Sequence, residues 1–109
     1  MANISGSKAP FELIEDDSGF GKRTFIAKGA INAKSSEELR HKLGRCLGKG
    51  QNKIHINMSR VTFLSSSGIR VLLEMYKKTK KTDGFLKITS PAENVRNVIG
   101  MAALDELLF

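Results

Sequence analysis

The spacing of apolar residues changes several times along the 109-residue chain, and each change marks an element. Phe11-Glu12-Leu13-Ile14-Glu15 has the character of a short strand, and the cluster Asp16-Asp17-Ser18-Gly19 after it is turn-forming. Extended character resumes at Lys22-Arg23-Thr24-Phe25-Ile26-Ala27 and closes at Gly29, so the two segments predict a hairpin. Leu39, Leu43, Cys46 and Leu47 then fall at i, i+4, i+7 and i+8, the single apolar stripe of a helix. Ser35 or Ser36 caps its start, and Glu37 and Glu38 occupy a first turn where the helix dipole favours negative charge. Gly48 and Gly50 end it.

Lys53-Ile54-His55-Ile56-Asn57-Met58 alternates polar and apolar residues, the pattern of a half-buried strand. It leads through Val61, Phe63 and Leu64 into Ser65-Ser66-Ser67-Gly68. A second helix begins at Ser67, with Ile69, Leu72, Leu73 and Tyr76 on its apolar side. Arg70, Glu74, Lys77, Lys78 and Lys81 lie opposite, and Glu74 precedes Lys78 by four, the favourable order for a helical ion pair. Asp83-Gly84 is a turn and Phe85–Thr89 a strand. Ser90 then caps a third helix with Pro91 at its first position, Glu93 in its first turn, Val95, Val98 and Ile99 inside, and Gly100 at its end. Asp105–Phe109 reads as a last short strand. Strands separated by helices imply parallel pairing, and the opening hairpin makes the sheet mixed. The fold class is α/β.

Length and composition narrow the possibilities. Residues 1–9 read as a flexible N-terminal arm and 10–109 as one domain, with 40% apolar residues to build its core. No stretch approaches the ~20 apolar residues of a membrane span. The opening residues lack the basic start and apolar run of a secretion signal, so a cytoplasmic protein is expected. Cys46 is the single cysteine, which leaves no internal disulfide, and its place in the helical stripe makes it a core thiol. His41 and His55 have no acidic or thiol partners at ligand spacing, so no metal or other cofactor is expected. The net charge of +7 raises the question of nucleic acid. The basic residues, however, fall on polar helix faces, and no aromatics interleave with them to stack bases, so no direct nucleic-acid contact is predicted.

Motifs of catalysis are missing. The chain has no phosphate-binding glycine loop, metal-binding histidine pair or Gly-x-Ser-x-Gly elbow, so it does not read as an enzyme. The serine turn is the remaining candidate. Three hydroxyls and a glycine meet a helix N-terminus, where free N–H groups and the positive dipole end accommodate an anion. Local physics by itself favours an ordinary serine cap, with Gly68 allowing close packing.

The surrounding residues add to this reading. Ile54 through Leu73, containing Asn57-Met58-Ser59-Arg60-Val61-Thr62-Phe63-Leu64-Ser65-Ser66-Ser67-Gly68, resembles the core motif of the STAS family, which comprises sulfate-transporter C-terminal domains and anti-sigma factor antagonists. The family form is an apolar strand ending in Asp-Leu, a short link, an aromatic, Asp-Ser-Ser-Gly and a Leu-rich helix. Upstream, Gly29-Ala30-Ile31-Asn32 with Glu38-Leu39 is similar to the family's Gly-x-Leu-Asp…Glu-Leu segment, and downstream Ser90-Pro91 and Val98-Ile99-Gly100-Met101 are similar to its Ser-Pro helix. The resemblance spans roughly residues 10–109.

It implies a STAS-like (SpoIIAA-like) single domain, a mixed β-sheet with helices packed mainly on one side. It also implies an anti-sigma factor antagonist, whose partners are an anti-sigma factor with serine kinase activity and a phosphatase. Aligned on Phe63 and Gly68, the family's phosphorylated serine corresponds to Ser66. Asn32, Ser65, Ser67, Gly68 and Arg70 are the implied partner-binding residues. Asn32, Asn57 and Ser65 stand where the family has Asp, which removes negative charge around the switch. An unphosphorylated STAS scaffold that assembles a sensory or transport complex is the alternative those neutral residues favour. A third reading is attachment to nucleic acid or anionic lipid through the lysine face.

Overall fold

A computed structural model describes residues 10–17 and 22–109. Its elements in chain order are β1 (Glu12–Asp17), β2 (Lys22–Ile31), α1 (Ala33–Gly48), β3 (Lys53–Leu64), α2 (Ser66–Lys81), β4 (Phe85–Thr89), α3 (Glu93–Met101) and α4 (Asp105–Leu108). The strands form one sheet in the order β1-β2-β3-β4. β1 runs antiparallel to β2, whereas β2–β3 and β3–β4 are parallel, as expected for strands joined through helices.

Partners across a ladder share a face. Leu13, Phe25, Ala27, Ile54, Ile56, Leu86 and Ile88 therefore project from one side, and all are buried. Leu39, Leu43 and Cys46 of α1, Val71, Leu72 and Met75 of α2, Val95 and Ile99 of α3, and Leu108 of α4 join them in one cluster. The opposite face carries Ile14, Ile26, His55, Asn57 and Thr89, none of them buried. The domain is thus two layers, with helices on one side of a mixed sheet.

Several boundaries differ from the sequence expectation, each for a physical reason. Asp16 and Asp17 belong to β1, and the rest of that turn cluster lies outside the described residues, as does the arm 1–9. Gly29 does not close β2: at φ 93° it hosts a register shift and the strand continues to Ile31. β3 likewise runs past Met58 to Leu64, because β2 is long enough to pair with it there. α1 starts at Ala33 with Asn32 as its cap, which makes Ser35 the third helical residue and puts Glu37 and Glu38 beyond the first turn.

α2 starts at Ser66. Its most buried line is Gly68, Val71, Leu72, Met75 and Thr79, with Ile69, Leu73 and Tyr76 half-buried beside it. Gly68 sets that line, since its bare backbone lies against Ile31 and Leu64. The Glu74–Lys78 pair forms at 3.5 Å, and Arg40 joins the same carboxylate from α1 at 3.2 Å.

α3 begins at Glu93, after a left-handed Ser90 (φ 48°) that cannot serve as a cap; Ala92 N–H instead donates to Met58 O at 3.1 Å. Gly100 lies within α3, which runs to Met101. The last segment is helical rather than extended. Leu104 N–H donates to Ile99 O and Ala103 takes φ 59°, a Schellman-type reversal that folds α4 back and buries Leu108 completely.

Candidate functional site

β2 and β3 end side by side, with Ile31 opposite Leu64. Each strand passes directly into a helix, so the N-termini of α1 and α2 open next to one another. Ser65 N–H donates to Ile31 O at 2.9 Å and fixes their spacing.

The two caps are built differently. In α1, Asn32 Oδ1 accepts from Ser35 N–H at 2.9 Å while Ser35 Oγ accepts from Asn32 N–H at 2.8 Å, a reciprocal capping box. Ser35 and Ser36 are buried and their hydroxyls lie 2.7 and 2.8 Å from the Ala30 and Ala33 carbonyls. In α2, Ser65 Oγ accepts from Gly68 N–H at 3.1 Å. Ser65 thus occupies the cap position, and the helix backbone begins at Ser66.

The three serines of the turn are consequently not equivalent. Ser65 is committed to the cap and Ser67 is half-buried. Ser66 is exposed, and its hydroxyl has no hydrogen bond among the described residues. The N–H groups of Ser66 and Ser67 are likewise without an acceptor there, since the α2 cap satisfies only Gly68. Arg70 follows Ser66 by four residues, so both lie on one exposed side of α2. Gly68 is buried under this corner.

The structure brings Asn32, Ser65, Ser66, Ser67, Gly68 and Arg70 to one end of the molecule. Asn57 is not with them. It lies on the open face of β3, seven residues before the strand's end and on the order of 20 Å away. There its Oδ1 accepts from Ser59 N–H and Ser59 Oγ at 2.9 and 2.8 Å. The expectation that three neutral replacements surround the switch is therefore corrected to two, Asn32 and Ser65.

Two further features belong to the corner. Phe63 is 50% exposed just before it, whereas Leu64, the last residue of β3, is buried. Beside the α1 cap, Phe11, Ala30, Asn32, Lys34 and Glu38 help to line an open cavity of about 280 Å³. Phe63 was visible in the sequence only as part of a motif. The cavity depends on Pro10 and Phe11, just before β1, lying against the α1 entrance, which no local pattern reveals.

Among the described residues, no cluster of three His, Cys, Asp or Glu side chains could hold a metal ion, and no helix is long and apolar enough to cross a membrane.

A mixed four-stranded sheet covered on one face, with paired helix N-termini at one end, defines a one-sided α/β domain. That architecture is shared with the anti-sigma factor antagonist SpoIIAA: its unphosphorylated form superposes with a TM-score of 0.75 at 20% identity, over 92% of this chain and 86% of that one. An anti-sigma factor antagonist from Mycobacterium paratuberculosis also gives 0.75, at 25% identity over 91% of this chain and 83% of its own. By sequence, residues 18–108 match the STAS domain, and the chain belongs to that family. A candidate anti-sigma factor antagonist, BtrV of Bordetella bronchiseptica, is 28% identical over 71 residues, 65% of this chain. The match spans 61% of that relative's length.

Proposed function

We propose that this STAS domain is an anti-sigma factor antagonist, which binds an anti-sigma factor with serine kinase activity and is released when Ser66 is phosphorylated. A phosphatase restores the binding form, and the exchange takes place in the cytoplasm without catalysis by this chain. The observation that carries the reading is the inequality of the three serines. Ser66 is the exposed hydroxyl of the three with no partner among the described residues, at a helix start with two open N–H groups. The names of BtrV and of the Mycobacterium protein support the same reading.

The physics of the switch is local. A phosphate adds about −1.5 to −2 charges at neutral pH. On the free protein, the α2 N-terminus and Arg70 accommodate that charge, a helix end favouring an anion by about 0.3–1 kcal/mol. Against a partner surface the same charge must be stripped of water, which costs several kcal/mol when it is unpaired. Phe63 supplies exposed apolar surface beside the serine, so both binding area and switch share one corner.

The test is affinity for the cognate anti-sigma factor. Ser66→Ala is expected to bind like the unaltered chain and Ser66→Asp at least about tenfold more weakly, a difference near 1.4 kcal/mol. Equal affinity of the two variants refutes the switch.

The neutral cap residues Asn32 and Ser65 favour a second reading, an unphosphorylated STAS scaffold that uses the same corner to assemble a sensory or transport complex. Intact mass after incubation with the kinase and ATP separates the two: a phosphate-sized gain lost in Ser66→Ala supports the switch, and no gain supports the scaffold.

A further inference from the structure

Away from the serine corner, the flank of α1 meets the edge strand β1. Lys42, Arg45 and Lys49 follow one another at i, i+3 and i+7 beside the buried Cys46, so three cations share that flank. Together with Glu15, Cys46 and Gln51 they line a cavity of about 160 Å³. Lys42 Nζ donates to Leu13 O at 3.3 Å and ties the helix flank to β1. Glu15, the single carboxylate in the lining, is held at 3.4 Å by Arg23 and lies 3.9 Å from the Cys46 thiol. Arg45 and Lys49 have no ion pair among the described residues. Gln51 Oε1 is buried and has no hydrogen-bond partner there.

Cations close to a helix C-terminus ordinarily offset its carbonyl dipoles, and Arg45 and Lys49 do this for α1. That role explains neither the cavity nor the unsatisfied acceptor that Gln51, one of its lining residues, carries just behind its wall. Like charges one turn apart on a helix repel, and a concavity lined mostly by one sign concentrates the field of the opposite ion. We infer that this cavity binds a small anion that carries its own hydrogen-bond donor, of the class of monohydrogen phosphate. The three cations meet its charge. Its P–O–H group meets Gln51 Oε1 after a turn of the terminal amide, whose last torsion is soft. Sulfate offers the same charge and shape at neutral pH but no proton to donate.

The experiment is a titration of the ¹⁵N-labelled chain with inorganic phosphate, then with sulfate, at neutral pH and constant ionic strength. Phosphate is expected to produce saturable amide shifts at Glu15, Cys46, Lys49 and Gln51, and sulfate to bind about tenfold more weakly. The double variant Arg45→Gln, Lys49→Gln changes two exposed positions; it should stay folded, its unfolding midpoint lowered only by the lost dipole contribution, and lose at least about tenfold in phosphate affinity. Shifts that do not saturate, or that stay confined to the N-termini of α1 and α2 about 24 Å away, overturn the inference. So does equal affinity for phosphate and sulfate, which removes the role given to Gln51.

Discussion

At Gly68 the absence of a side chain lets α2 approach the ends of β2 and β3. An added Cβ would stand 2.7 Å from Leu64 Cδ1 and 2.8 Å from Ile31 Cγ2. Overpacking of that kind costs about 1–3 kcal/mol, against about 1 kcal/mol that alanine gains in helix propensity. Gly68→Ala is therefore expected to lower the denaturant midpoint at unchanged slope, with the deficit read from equilibrium unfolding. Cys46 supplies a second residue-level prediction. Burial, then the nearby Glu15 charge, holds its thiol pKa above the ordinary 9.0. The folded state thus keeps the proton more tightly than the unfolded chain, so the associated stability is full below about pH 9 and declines as pH rises beyond it. In Cys46→Ala that part of the alkaline decline should vanish, which a series of unfolding curves above neutral pH will show.

The helix starts were the elements least legible in the sequence. Asn32 and Ser65 are the caps, whereas the pattern pointed to Ser35 or Ser36 for α1 and to a start at Ser67 for α2. Five serines near two helix starts offer several one-residue shifts of nearly equal local merit. The ladder between Ile31 and Leu64 chooses among them by fixing where both strands stop. The energetic consequence separates cap from candidate switch. Ser65→Ala is expected to cost about 1 kcal/mol by leaving Gly68 N–H without its acceptor, and Ser66→Ala to stay within about 0.5 kcal/mol. Thermal unfolding of the two variants checks this, and a cost at Ser66 equal to that at Ser65 contradicts the assignment of the cap. The final segment shows the same limit on local reading. Asp105–Phe109 has apolar residues enough for a strand or a helical turn, and the reversal at Ala103 selects the turn by carrying Leu108 into the core.

Across the whole molecule, the open sheet face and the helix-covered core make a rigid support for a corner that projects beyond β4. β4 pairs only with Lys53–Asn57, so among the described strands the end of β3 before Ser65 has β2 as its one ladder partner. Charge placed at Ser66 displaces no hydrogen bond among the described residues. Ser66→Asp is accordingly expected to unfold at the same temperature as the unaltered chain or slightly above it, with amide shifts limited to α2's first turns and the adjoining α1 entrance. Shifts spread through the sheet would indicate a conformational switch instead of a change in surface charge.

The sequence by itself determined the α/β class, the strands around Phe25, Ile56 and Leu86, and the helical stripe of α1, because burial on one side imposes a period of two or near 3.6 on each segment. It also singled out the serine turn, through a motif that spans strand, turn and helix. Only the tertiary structure decided which serine caps and which stays free, that Asn57 lies far from the corner while Asn32 adjoins it, and that Lys42, Arg45 and Lys49 converge with Glu15 and Gln51 on one cavity. These outcomes depend on where two strands end in register and on which edge a helix flank meets. Such distances are set by pairing between segments far apart in the chain, and no periodicity within a segment contains them.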